Sequence, residues 1–293
     1  MTTIATIGMF DGVHRGHQHL LATLVEQARL RSMRPVVYTF DRHPQQVLRG
    51  DHAVQLLTTT EERLQRLRAG GDYEVVVLPF DRQMASLSAC AFYDEVLLRR
   101  HPMGALVMGY DNSFGNKQHD DWPQLFERLR RDGVTHIADV PVCYGDVAIS
   151  STQIRQALMA GDVARANDML GYRYSLSGTV LQGRHIGHSL GFPTANLDSG
   201  QTEKLLPADG VYAVTATVGH TTWRAVANLG AQPTVGGAGR VLEVHLLDGS
   251  PQLYGLSLQV EFVARLRDIR RFETREALAG QIQEDIKQCK ELF

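Results

Sequence analysis

The sequence has little of several things that define whole classes of protein. Its three cysteines, Cys90, Cys143 and Cys289, lie far apart and form no C-x-x-C pair. That argues against a disulfide framework or a structural zinc site and fits a reducing cytoplasm. Neither sign of charge is in excess, since 30 Lys+Arg stand against 32 Asp+Glu. Proteins that wrap nucleic acid or lie on anionic membranes concentrate positive charge, so neither partner is expected. No apolar run approaches the ~18 residues of a membrane span. Met1-Thr2-Thr3 opens no basic region followed by an apolar core, so no signal peptide is expected. Internal repeats, low-complexity stretches and a Pro/Ser-rich linker are also missing. What is present is 293 residues, 43% of them hydrophobic. At roughly 150 residues per domain this is enough for two domains, each with its own core.

The two halves are patterned differently. Ile4–Ile7, Pro35–Phe40, Val75–Leu78, Ala105–Met108 and His136–Ala138 read as short buried strands. Helical stretches lie between them, including one from Gly16 with Leu20, Leu21, Leu24, Val25 and Ala28 on one face, and others at Glu61–Arg68 and Ala91–Arg100. This alternation predicts a parallel α/β sheet covered on both faces. After about Leu170 the runs are strand-like and joined by glycine-rich turns: Tyr174–Leu181, Val211–Val218, Thr222–Leu229, Val241–Leu247 and Leu256–Val263. A single helix follows at Thr274–Lys290, with Leu278, Ile282 and Ile286 on one face. Successive strands without helices predict an antiparallel barrel or sandwich closed by that helix. The period changes near 165–175, which places the domain boundary at about residue 172.

The stretch Gly8-Met9-Phe10-Asp11-Gly12-Val13-His14-Arg15-Gly16-His17 lies between the first strand and the first helix. Open α/β sheets bind ligands at that place, and a helix N-terminus there offers free N–H groups to phosphate. His14 and His17 can donate hydrogen bonds to phosphoryl oxygens as charge builds in a transition state. By spacing alone, two surface histidines or half of a metal site read equally well. Ile149-Ser150-Ser151-Thr152-Gln153-Ile154-Arg155 is a second helix start. Ser150 with Gln153 makes an ordinary capping box, and the same hydroxyls with Arg155 one turn in make a polyphosphate pocket.

In the second half, Gly183-Arg184-His185-Ile186-Gly187 precedes Gly191-Phe192-Pro193-Thr194-Ala195-Asn196. The Thr194 hydroxyl and the Asn196 carboxamide oxygen are hard ligands suited to Mg²⁺ carrying ATP phosphates. Glu243, inside the apolar Val241–Leu247 run, reads from pattern as an outward-facing or salt-bridged residue, because charged side chains are seldom fully buried.

The first-half motifs resemble those of bacterial bifunctional riboflavin kinase/FAD synthetases. The His14–His17 string is similar to the H-x-G-H signature of nucleotidylyltransferases. Thr39-Phe40-Asp41-Arg42-His43-Pro44 is similar to T-F-D-P-H-P, with Arg42 for proline, and Gly109–Gly115 to G-x-D-F-x-F-G, with Asn112 for phenylalanine. Ile149–Arg155 matches I-S-S-T-x-I-R. In the second half, Gly191–Asn196 resembles the G-x-P-T-A-N motif of riboflavin kinases, with Glu243-Val244-His245-Leu246-Leu247-Asp248 and Arg267-Asp268-Ile269 following in order.

The resemblance implies a Rossmann-like α/β nucleotidylyltransferase domain over 1–172, then a riboflavin-kinase-type antiparallel β-barrel with its closing α-helix over 173–293. It implies a cytoplasmic enzyme with small-molecule substrates: ATP, riboflavin, FMN and FAD, with Mg²⁺ accompanying ATP. Oligomeric state stays open. For AMP transfer it assigns His14, His17 and Arg155 to transition-state stabilisation. Gly8, Phe10, Asp11, Gly16, Ser151 and Thr152 would bind ATP there. His43, Asp111 and Arg267 are the implied flavin contacts. In the kinase half, Gly183, Gly187, Thr194 and Asn196 would bind ATP, the last two also holding the metal. Glu243 is then the base that takes the proton of the ribityl hydroxyl, since an alcohol needs one.

Overall fold

The computed structural model describes the chain except for residue 1, residues 51–53, 111–113, 117–118, 120, 182–191, 199–202, 235–236 and 250, and the side chains of 232–239. The described residues form two compact units, Met1–Ser151 and Thr152–Phe293.

In the first unit, β1 (Thr3–Ile7) leads through α1 (Arg15–Arg31) to β2 (Arg34–Phe40), then through α2 (Pro44–Arg49) and α3 (Thr60–Ala69) to β3 (Glu74–Leu78). The short helices α4 (Arg82–Ser86) and α5 (Ala89–Phe92), the latter continued by a π-helical turn at Tyr93–Leu97, precede β4 (Met103–Met108). Helix α6 (Trp122–Arg131) and strand β5 (Thr135–Ala138) complete the parallel sheet, and β6 (Cys143–Tyr144) with β7 (Val147–Ala148) forms a small hairpin. All five expected strands are therefore present, each within two residues of the sequence reading. The order is β3-β2-β1-β4-β5. Residues of one parity, Ile4, Val37, Ala105 and Val107, pack with Leu20, Leu21, Leu24 and Leu67 on one face. Ala5, Ile7, Val36, Tyr38 and Leu106 pack with Phe92, Val96, Leu125 and Leu129 on the other. A sheet buried on both faces is why its strands read as continuous apolar runs. Because β2 and β4 both pair with β1, the strand order reverses at β1. A ligand crevice opens outside the carboxyl ends at such a switch point, and the loop after β1 stands there.

The second unit begins with α7 (Ser151–Met159, its first residue belonging to the first unit) and α8 (Val163–Leu170). Strands β8 (Ser175–Leu181), β9 (Ala195–Asp198), β10 (Gly210–Val218), β11 (Thr221–Thr234), β12 (Gly237–Leu246) and β13 (Ser257–Arg267) close into a barrel in the order β10-β11-β12-β9-β8-β13. Tyr212 and Phe262 meet edge to face in its interior, 5.2 Å apart. The last helix, α9 (Arg275–Glu291), is capped by the Thr274 side chain, which accepts from Ala277 N. Its Cys289 packs with Val211, Ala213 and Val226 on the outer face of β10 and β11. The cysteines make no disulfide: Cys90 is half-buried, Cys143 exposed and Cys289 buried.

Candidate functional site

The loop from Gly8 to His14 is strained. Phe10 (φ 54°) and Val13 (φ 37°) adopt left-handed backbone, as does Gly12 (φ 80°). For a β-branched valine this is a true outlier, and such residues cost about 1–3 kcal/mol each, which is why they cluster where a site must be pre-shaped. Surrounding contacts hold the loop in place. The Asp11 carboxylate, almost wholly buried, accepts from Leu57 N at 3.1 and 3.0 Å, from Thr58 N at 3.1 Å and from Thr58 Oγ1 at 3.1 Å. Gly12 N donates to the same Thr58 hydroxyl. Asp11, expected at ATP, thus engages both carboxylate oxygens in tying the loop to residues 57–58.

His14 caps α1, its Nδ1 accepting from His17 N at 3.4 Å. An accepting Nδ1 puts the proton of neutral His14 on Nε2, which makes Nε2 a donor. The two imidazoles stack with centroids 3.6 Å apart and planes 19° apart, and Phe10 meets His17 edge-on at 5.2 Å. A Cβ at Gly16 would stand 3.2 Å from the His14 ring, so any larger residue would require that ring to shift by a few tenths of an ångström. His17 Nδ1 is sealed and has no hydrogen-bond partner. Burial, and then the neighbouring His14, hold the His17 pKa well below the ordinary 6.5.

The sign of that shift sets a stability slope. Unfolded His17 takes up a proton below about 6.5 and the folded residue does not, so stability is lost as pH falls below that value. The expected loss is about 1.4 kcal/mol in all between pH 7.5 and 5.5, steepening toward the lower end. Urea unfolding between pH 7.5 and 5.5, followed by Trp122 in a Trp223→Phe background, should show this slope, and His17→Gln should remove it. Equal slopes with and without His17 would overturn the assignment.

The second motif joins the first: the Ser151 hydroxyl donates to the Asp11 carbonyl at 2.9 Å. Thr152 and Arg155 follow in α7, exposed and half-buried respectively. His43 caps α2, its Nδ1 accepting from Gln45 N at 3.2 Å, with Pro44 at the first helical position, where its missing N–H costs nothing. Asp111, Gly183 and Gly187, like Asn112, lie outside the described residues.

In the barrel, strand register assembles the second constellation. Glu243 lies opposite Asn196 on β9 and opposite Asn228 on β11. Asn228 in turn pairs with Val211, and Val211 with Arg267. Directly opposed residues share a face with Cβ atoms about 5 Å apart. Asn196, Glu243, Asn228, Val211 and Arg267 thus form one row across five strands. Glu243 is half-buried on the outer face, which also carries Val211 and Val226, where α9 packs. Thr194 precedes β9 with the parity of Asn196. Its segment is anchored to β12 by His245, whose Nδ1 lies 2.9 Å from Pro193 O and whose ring meets Phe192 at 5.6 Å. The Arg267 guanidinium grips Asp285 of α9 in a two-pronged pair, 2.8 and 2.7 Å, with Gln281 also on that carboxylate. Its principal bonds therefore hold the helix beside this face. Asn228 was not singled out from sequence; only its register marks it.

Among the described residues no cluster of three His, Cys, Asp or Glu is disposed to hold a metal. Thr194 and Asn196, two neutral oxygen donors, suit a hard cation that keeps most of its shell on water and phosphate.

Comparisons with known proteins place both halves. Residues 1–153 match the FAD synthetase family and residues 170–293 the riboflavin kinase family. Bifunctional riboflavin kinase/FMN adenylyltransferase from Escherichia coli K12 is 37% identical over 291 residues, covering 99% of this chain and 92% of its own length. The protein of that name from Bacillus subtilis 168 is 32% identical over 296 residues, covering 99% and 92%. A crystal structure described as a macrolide-efflux protein from Streptococcus pneumoniae shares the fold, with TM-score 0.87 and 31% identity over 99% of this chain and 94% of that one. No helix among the described residues here is long and apolar enough to cross a membrane. With both family matches in the order of the two units, the chain belongs to the bifunctional riboflavin kinase/FMN adenylyltransferase family.

Proposed function

We propose that this chain makes FAD from riboflavin in two ATP-dependent steps, one in each half. The observation that carries the reading is the pair of separate constellations: a strained histidine loop at the switch point of a parallel sheet, and a Glu243–Asn196 pair on one face of a closed barrel. The first step phosphorylates riboflavin. Glu243 accepts the proton of the terminal ribityl hydroxyl as its oxygen bonds to the γ-phosphorus of ATP; the bond to the bridging oxygen breaks and ADP leaves. Thr194 and Asn196 would hold Mg²⁺, which neutralises phosphate charge when bound.

The second step joins FMN to AMP. An FMN phosphate oxygen, already ionised near neutral pH, bonds to the α-phosphorus of ATP and pyrophosphate departs. No base is needed, so the work is positioning and charge stabilisation. A neutral His17, kept so by burial, and the Nε2–H of His14 donate to phosphoryl oxygens at the positive end of α1. Arg155 is assigned to the same phosphates through its motif. On that ground we place the functional boundary near 172, so that α7 serves AMP transfer. Arg267 and His43 are assigned to the flavin, each from a position pre-set by its own partner, Asp285 or Gln45. The reducing cytoplasm is the proposed location, in keeping with three unpaired thiols.

Incubation with riboflavin, ATP and Mg²⁺, followed by chromatography, should yield FMN and then FAD. Absence of FMN would overturn the kinase assignment, and AMP transfer to a phosphate other than that of FMN would overturn the second.

A further inference from the structure

Arg63 of α3 is the largest fully buried side chain among the described residues, with no exposed surface. Its Nη2 donates to Phe40 O at 2.5 Å, at the end of β2. Its Nη1 points to Met9 Sδ at 3.7 Å, in the loop after β1, and its Nε is sealed without an acceptor. Burial lowers its pKa, opposed by the attraction of Asp11 and Asp41. Both acids are themselves tied down, Asp11 on Leu57 and Thr58, Asp41 by Phe80 N at 2.8 Å. The guanidinium therefore lies beneath two loops at once, one leading to His14 and His17, the other to His43.

Filling space does not account for it. A buried cation with an unsatisfied N–H is a poor way to occupy volume, and an apolar residue of similar size is often neutral or stabilising in such a place. What only a guanidinium supplies is a rigid fork that bonds in two directions. We propose that Arg63 is a positioning residue for AMP transfer, fixing the loop after β1 against the loop after β2 and so setting where the two histidines meet the phosphates. The inference rests on the reading that the first unit transfers AMP.

The chain carries its own control, because riboflavin phosphorylation belongs to the other half. Arg63→Met keeps the volume and removes the fork; Arg63→Lys keeps the charge and one bond. With FMN, ATP and Mg²⁺, well below the thermal transition, Arg63→Met should lower kcat for FAD formation by about 30- to 100-fold, the scale of a 1 Å misplacement. The KM for ATP and for FMN should stay within about threefold, as expected when only the transition state loses stabilisation. Riboflavin phosphorylation should be unchanged, and Arg63→Lys should recover an intermediate kcat. A purely structural role would lower Tm and reduce activity only by the unfolded fraction, which would overturn the proposal, as would a wild-type kcat in Arg63→Met. Should Arg63→Met not fold, Met9→Leu decides: a lowered kcat supports the proposal and a wild-type value overturns it. If the unaltered chain makes no FAD from FMN and ATP, the functional reading fails instead, and separately.

Discussion

Glu243→Ala should lower FMN formation by about 10²- to 10⁴-fold, the span of lost general-base catalysis, while added FMN is still converted to FAD. The residue is half-buried within an apolar strand, and cross-strand register sets it between the carboxamides of Asn196 and Asn228. The proposed base thus stands in one row with Asn196, the proposed metal ligand, which brings proton acceptor and metal site to the same face of the barrel. Glu243→Gln, with nearly the same shape and no basic oxygen, should fall as far, which separates proton transfer from geometry. The measurement is initial velocity with riboflavin and with FMN on the same preparation. Loss of both activities in a folded protein would show that the two reactions are not divided between the halves.

His17→Ala should produce the reverse pattern: FAD formation from FMN falls by about 10²- to 10³-fold, as when one donor to a developing charge is removed, and riboflavin still becomes FMN. His17 reaches the site on a helix start that presents both histidines together, their rings 3.6 Å apart. Being neutral, it can offer a hydrogen bond without a counter-charge that would have to be neutralised before the substrate phosphates arrive. Its removal also leaves one face of the His14 ring and the edge of Phe10 without their partner. His17→Asn, which keeps a donor but not the ring, should recover part of the rate. Undiminished FAD formation in His17→Ala would dismiss the histidine loop as the site of AMP transfer. Velocities in the two assays, taken for both variants, form a crossed pattern that neither a general folding defect nor a single shared site reproduces.

Much of this was legible in the linear chain because its signals are local. Buried strands of a two-sided sheet and the 3.6-residue stripe of α1 show in any short window. The four residues of β9, Ala195–Asp198, did not, since they alternate apolar and polar over only two periods and lack the continuous apolar run that marks the strands of the parallel sheet. The π-helical turn at Tyr93–Leu97 escaped for a similar reason: one wide turn leaves the surrounding apolar spacing almost unchanged. Arg63 lies in the run Glu61–Arg68 with Arg66 and Arg68, where a helix reads as a solvated charged face. Only Leu67, buried one turn on, shares its inward side.

The two-domain organisation and its near-neutral charge, the scarcity of cysteine, and the order of the motifs were all determined by the sequence by itself. The family resemblance of its motifs pointed to His14, His17 and Glu243, because a motif is a local string; pattern and spacing alone left their roles open. Tertiary structure alone decided their partners. It bound the Asp11 carboxylate to residues 57–58, gave Arg267 to Asp285, set Asn228 beside Glu243, and buried Arg63 under two loops. Such pairings join residues 15 to 54 positions apart. Which groups lose water together, and so must bond to each other, depends on how distant segments pack; no window of sequence contains that information.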